Sequence, residues 1–431
     1  MNRRFVVLLI AVISLPALAQ NKNESDSTNA YKQESNLGGP KSIGAQLEVD
    51  NPPKEKADYY RVPVRLMTPW YEWKQEFAKK TGVQLGINYT SLFMRSSSVI
   101  DSENNNQNTA SGVFDFQAVW TFLNRSKGKN KGMLSIKIND RHAYGGLTAP
   151  MLHGFGESGY YGLPASGYHN FTMRITELHY SQYILDDKVA FIIGKIDPSN
   201  YYNFHGMAIP WTAFMNYGSL LSSTINFHNP GFGIGAGWEV TPNIYVKASV
   251  LDLYGDKYAE GDFFDTGDYF FDGKVQTMAE VGWVPSIAER YTKKISLTYW
   301  HTPEYQSLGD ATIEMGQGLA LSAHWFFNNN FMPYARFGIG NGNGENLFSK
   351  KDIQIGSGYL MPSHDLIGAS FSWAETNIPY SKNQMTAEVF YRVQITPHLA
   401  LTPDLQMIIN PALDPTTNVL WYGGVRGRVS F

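Results

Sequence analysis

The chain closes on WYGGVRGRVSF, residues 421–431. Taken by twos, Phe431, Val429, Gly427, Val425, Gly423 and Trp421 are apolar or small. The intervening set, Ser430, Arg428, Arg426, Gly424 and Tyr422, carries two cations. Successive strand side chains point to opposite faces, so the segment predicts a strand with one apolar and one cationic face. Chain ends usually fray into polar tails. A strand running to a terminal aromatic needs a partner for its edge and a solvent for its apolar face.

The same period of two fills most of the chain from residue 83 onward. GVQLGINYTSLF (82–93) sets Leu85, Ile87, Tyr89 and Phe93 against Gln84, Asn88 and Thr90. GVFDFQAVWTFL (112–123) sets Phe114, Phe116, Trp120 and Phe122 against Asp115, Gln117 and Thr121. GMLSIKINDR (132–141), MTAEVFYRVQIT (385–396) and LALTPDLQMII (399–409) repeat the pattern. Short connections such as TPHL (396–399) and ILDDKV (184–189) alternate with long ones rich in Gly, Asn and Asp, such as SVIDSENNNQNTASG (98–112) and DLYGDKYAEGDFFDTGDYFFDG (252–273). That is an up-and-down antiparallel meander.

A soluble sandwich would turn the apolar faces inward, and a membrane barrel would turn them outward around a polar lumen. Three features favour the transmembrane antiparallel β-barrel. Aromatics sit near strand ends, as an interfacial girdle does. Only 17% of the residues are charged, against about 25% in soluble domains. The last strand carries an aromatic where a soluble chain would fray. An open sheet edge is not viable in lipid, so residues 421–431 are expected to pair with the strand from Val83.

The start of the chain reads as an export signal: Arg3 and Arg4, the apolar run FVVLLIAVISL and the small-residue site Ala17–Ala19. Cleavage is expected after Ala19. Residues 20–68 are polar and are expected to form a mobile periplasmic segment. TPWYEWKQEFAKKTG (68–82) predicts an amphipathic helix over 69–81, with Thr68 as cap, Pro69 in the first turn and Gly82 at its end. Trp70, Trp73 and Phe77 share a stripe expected to brace the larger body. The chain has no cysteine, hence no disulfide and no thiolate metal site. Its mild net acidity, −3, argues against a nucleic-acid partner.

Parity directs Asp115, Lys137, Arg141, Lys195, Asp197, Arg336, Glu388, Arg392, Asp404, Arg426 and Arg428 into the lumen. Glu177 joins them only if a bulge interrupts its strand, because Met173 and Ile175 share its parity. Guanidinium forks and carboxylates bond adjacent sugar hydroxyls, while aromatics stack on the ring. Most of these charges are expected to pair with one another, a minority lining the constriction. GFGIGAGWE (231–239) has glycines every second residue and reads as a strand, not a dinucleotide loop. Asp262, Asp265, Asp268 and Asp272 miss the EF-hand spacing. No His-Glu-x-x-His or Gly-x-Ser-x-Gly motif is present, so no catalytic residue, metal or cofactor is expected.

Several stretches resemble the carbohydrate-selective porin (OprB-type) family of Gram-negative outer membranes. TPWYEWKQEFAKKTGVQLGINYTS is similar to that family's first helix and strand. RITELHYSQYILDDKVAFIIGKIDPSNYYNFHG (174–206) resembles its Glu-turn-Gly-Lys-x-Asp block, here Glu177, Gly194, Lys195 and Asp197. PYARFGIGNGNGEN (333–346) places Arg336 at a charged strand position. MTAEVFYRVQITPHLALTPDLQMIINPALDP (385–415) is similar to the C-terminal signature, here Glu388, Tyr391, Arg392, Pro403, Asp404, Gln406, Asn410 and Pro411. The resemblance covers residues 69–431 and leaves out the tail before residue 60. It implies a barrel of about sixteen strands with periplasmic termini. It further implies passive passage of sugars, contact with outer-membrane lipids, and use of the barrel-assembly machinery through the strand ending in Phe431. A general diffusion pore and a barrel enzyme are the alternative readings.

Overall fold

The computed structural model describes residues 38–51, 67–100, 106–257, 262–267, 269–307, 311–328 and 330–431. The export signal and its cleavage site lie outside these. Sixteen antiparallel strands close into one barrel. The first nine are β1 (Val83–Ser96), β2 (Asn108–Leu123), β3 (Gly132–Ala143), β4 (Phe171–Ile184), β5 (Val189–Ile196), β6 (Gly231–Thr241), β7 (Ile244–Asp252), β8 (Val275–Trp283) and β9 (Lys293–Thr302). A small ribbon of β10 (Tyr305–Gln306) and β11 (Thr312–Ile313) sits in the next connection. The barrel then continues through β12 (Gly316–Trp325), β13 (Phe331–Gly340), β14 (Ser349–Leu360), β15 (Leu366–Thr376), β16 (Gln384–Gln394), β17 (Leu399–Ile409) and β18 (Val419–Ser430).

The closing strand pairs with the first: Tyr89 lies opposite Val429 and Ser91 opposite Gly427. The backbone of Phe431 still bonds that of Ile87. Exposure decides between sandwich and membrane barrel. Trp421 and Val425 are 42% and 46% exposed, while Tyr422 and Arg426 are 0% and 1% exposed. The apolar face therefore points out and the charged face in, the inverse of a soluble protein. The outward aromatics Trp120, Phe122, Trp238, Trp283 and Trp325 cluster toward the end with the short connections.

A helix α2 spans Thr68–Thr81 and ends on Gly82 with φ 82°. Thr68 is the first helical residue rather than the cap, which falls at Met67. The aromatic stripe does not brace the barrel. Trp70, Trp73 and Phe77 stack on one another at 5.0 and 5.3 Å, with Trp73 exposed. The other face packs instead: the Tyr71 hydroxyl donates to the Ser430 carbonyl, and Lys74 donates to Asn51. A helix beside a membrane barrel keeps its polar side for the protein rim and its apolar side for the interface.

Residues 38–51, expected to be part of a mobile tail, are ordered inside the barrel, with α1 spanning Ile43–Asp50. Composition misled because three apolar residues suffice. Ile43 and Leu47 pack with Val119, and Leu47 fills the space over Gly86. Polar ties fix the rest. The Tyr291 hydroxyl donates to the Gly38 carbonyl at 2.6 Å, and Arg428 donates twice to Asp50 at 2.7 and 3.1 Å. Changing Asp50 to Ala leaves Arg428 without its carboxylate. The segment should then become susceptible to added protease, while the heat-resistant barrel band on a gel persists.

Candidate functional site

The lumen is the candidate site, and it is filled rather than hollow. After β5 the chain turns inward and residues 198–229 pack almost wholly inside the barrel. Phe204, Met207, Phe214, Tyr217 and Leu220 join the wall residues Trp300, Tyr334 and Phe390 in one apolar cluster. A second cluster joins Ile209, Trp211 and Met215 to Tyr160 and Tyr168 from the connection after β3 and to Tyr422 of β18. Asp197 starts the inward turn. It accepts the Ser199 amide at 2.9 Å and faces the Lys41 ammonium at 3.4 Å. Burial alone would raise this carboxyl, yet Lys41 and Ser199 hold it below the usual carboxylate range.

The charges that parity turned inward mostly tie these segments to the wall. Arg426 donates to the carbonyls of Pro210 and Ala213 at 2.6 and 2.9 Å. Glu388 accepts the amides of Met215 and Asn216, and Asn216 in turn bonds Gln406. Asp404 accepts from Gln406 at 3.0 Å. Arg392 donates to the Thr212 and His364 carbonyls. Arg336 bonds Gln354, which reaches the Leu221 carbonyl. Lys195 meets Asp256 at 2.7 Å, and Arg428 holds Asp50. They pair less with one another than with the backbone of infolded chain. Buried carbonyls and amides need partners, and the wall supplies them.

Glu177 turns inward at a bulge. Lys137 lies opposite Glu177, but the next pair is Ile138 with Ile175, so one residue of β4 is skipped. Thr176 and Glu177 are consequently both buried, and Asn200 donates to Glu177 at 3.0 Å. Gly194 lies at φ 135°, where a Cβ would strike the Leu178 carbonyl, so the Gly-Lys spacing before Asp197 has a steric reason. On β2 and β3, Asp115 accepts from Asn139, and the Lys137 ammonium makes no side-chain hydrogen bond among the described residues. Arg141 stays half-buried, its guanidinium 5.0 Å from the Phe171 ring and 5.8 Å from that of Trp211.

The residue set read from the sequence misses a centre of equal weight. Glu280 accepts from Tyr245 at 2.7 Å, from Thr298 at 2.8 Å and from the Asn203 amide at 2.8 Å. It also meets Lys247 at 3.0 Å and Lys294 at 3.9 Å. Asp352, which takes the Ser223 amide at 2.7 Å, is a further omission. Both lie on period-two strands, so the same parity argument would have found them. Asp50 and Asp256 lie in a polar tail and a loop, where no periodicity points to them. In the acidic loop, Asp265 accepts the Gly267 amide and Asp268 lies outside the described residues. Among the described residues no three acidic or His side chains gather as metal ligands.

Residues 353–431 match the family model of the carbohydrate-selective porins, OprB family. Porin AaxA of Chlamydia felis is 23% identical over 278 residues, 61% of this chain and 59% of its own, so the match spans less than two thirds of that porin. In fold, the high-pH structure of Pseudomonas putida OprB superposes with a TM-score of 0.67 at 15% identity, covering 84% of this chain and 97% of that one. The low-pH structure of the same porin gives 0.49 at 14% identity, covering 85% and 98%. These relatives are porins, a channel family and not enzymes. The likeness to the carbohydrate-selective porins in sequence therefore lies in residues 353–431, and the barrel as a whole has the fold of the Pseudomonas putida OprB structure.

Proposed function

We propose that the protein lets small carbohydrates diffuse passively across the outer membrane through a lumen narrowed by residues 198–229. The observation that carries this reading is Arg141, half-buried on the inner wall beside the rings of Phe171 and Trp211. A guanidinium bonds vicinal hydroxyls in pairs, and an aromatic face takes the apolar side of a pyranose. Asp115, Asn139 and Lys137 continue the polar surface along β2 and β3. The remaining inward charges, from Lys195, Asp197 and Glu177 to Arg336, Glu388, Arg392, Asp404, Arg426 and Arg428, hold the constriction in shape. Passage needs weak contacts at several points, so that a solute leaves as readily as it enters.

Liposome swelling tests this directly. Glucose should enter faster than an amino acid of matched size, and a disaccharide more slowly than glucose. Arg141→Ala removes the fork and should lower the sugar preference severalfold while leaving amino-acid entry nearly unchanged. Equal rates for solutes of equal size in the unaltered protein would reduce it to a general diffusion pore. No swelling would sink the channel reading.

A further inference from the structure

The outer wall carries a polar chain where parity predicts lipid contact. Tyr89, Ser91, Gly112, Asp140 and His142 all belong to outward rows of β1, β2 and β3, with Ser91 opposite Gly112 and Gly112 opposite His142. His142 Nδ1 lies 2.7 Å from Asp140 Oδ1, and its Nε2 lies 3.0 Å from the Tyr89 hydroxyl. The Tyr89 and Tyr144 hydroxyls are 2.7 Å apart, and Tyr144 donates to Ser91 Oγ at 3.1 Å. The hydrogen bonds run unbroken from Asp140 through His142, Tyr89 and Tyr144 to the Ser91 oxygen. The chain has room only because residue 112 is glycine: a Cβ there would overlap the Tyr89 hydroxyl, His142 Nε2 and the Tyr144 hydroxyl.

This chain is not walled off. The His142 and Asp140 side chains are 41% and 30% exposed, amid exposed Phe93, Met173 and Val425. His142 is the penultimate residue of β3, at the end of the barrel opposite Trp120 and Phe122, hence at the outer-leaflet rim. An ionisable pair on a lipid-facing wall costs free energy unless something polar meets it. Two hydrogen-bonding groups remain to be met: Asp140 Oδ2, an acceptor, and the Ser91 hydroxyl hydrogen, a donor. Gly427, beside Ser91, has nothing within 4 Å of where a side chain would start, so that flank is open. With Asp140 outermost, a bare phosphate is repelled, whereas a sugar hydroxyl accepts from Ser91 and donates to Asp140.

From this geometry we propose that Asp140, His142, Tyr89, Tyr144 and Ser91 form a docking site for the sugar headgroup of an outer-leaflet glycolipid. The site stands apart from the lumen and independently of which solute passes through it.

The test uses the full-length mature protein in phosphatidylethanolamine vesicles with and without lipopolysaccharide, followed by native mass spectrometry. The unaltered barrel should carry bound glycolipid. Tyr89→Phe with His142→Leu should lower the affinity about tenfold, as expected for losing hydrogen bonds of ordinary strength. Sugar-driven swelling should not change. Val389→Ala on the outward face of β16 should leave binding as it was. Tyr89→Phe alone, which only removes a hydroxyl, serves if the double variant does not give the heat-resistant barrel band. Equal binding by the unaltered and altered proteins overturns the proposal. So does a loss of binding accompanied by a fall in oligomeric mass, because the site would then meet a second copy. Displacement by free glucosamine disaccharide at the same concentration as the lipid would also overturn it, since no membrane anchor would be needed.

Discussion

Asp256→Ala should be the most destabilising single change in the lumen, by about 3–5 kcal/mol, the range for removing one partner of a buried ion pair. Asp256 follows β7 and meets two cations: Arg174 Nη1 at 2.8 Å and Lys195 Nζ at 2.7 Å. All three side chains are at most 1% exposed. Their attraction offsets desolvation only while the carboxylate is present. Without it, two cations share a dry space and repel each other. Urea-gradient unfolding in detergent micelles, read by tryptophan fluorescence, measures the loss. Replacing the triad together, with Arg174→Met, Lys195→Met and Asp256→Leu, should recover most of it, because an apolar triad of similar volume avoids the desolvation cost. If Asp256→Ala unfolds at the same urea concentration as the unaltered protein, the buried triad is not what fixes this part of the wall.

Replacing residues 201–226 with a short Gly-Ser linker should raise solute flux, on the order of tenfold, because a barrel of sixteen strands encloses an aqueous channel unless something fills it. Here the filling is Phe204, Met207, Trp211, Phe214 and Tyr217. The barrel should survive, since its strands are joined by an unbroken ladder from β1 round to β18. Arg426, Glu388 and Glu280 would lose backbone partners but gain water, so the cost is far below that of stranding them in a dry interior. Single-channel conductance and entry of a disaccharide are the readouts. A large rise in both, with loss of discrimination by size, places the constriction at the infolded connection. Unchanged conductance would mean that solute passes elsewhere, along a route set by the strands alone.

The alternation in residues 421–431, repeated along the chain, was enough to determine a meander of strands, its closure between the first and last strands, and the face each charge takes. Period two is a local property, and a membrane barrel keeps it wherever a strand runs unbroken, because every strand meets lipid on one side. Even the bulge at Glu177 was visible, as a conflict of parity with Met173 and Ile175. What only the tertiary structure decided is how the lumen is used. Infolded segments follow no period, so nothing local separates residues 198–229 from an exposed loop, or residues 38–51 from a mobile tail. Asp50 and Asp256 look solvated until Arg428, Arg174 and Lys195 arrive from distant strands. The same holds for the chain from Asp140 to Ser91, which reads as scattered polar residues until three strands align in register and Gly112 makes room for them. Which groups meet inside or outside a closed barrel depends on strand register and on loops that fold back, and both are fixed by contacts between residues far apart in sequence.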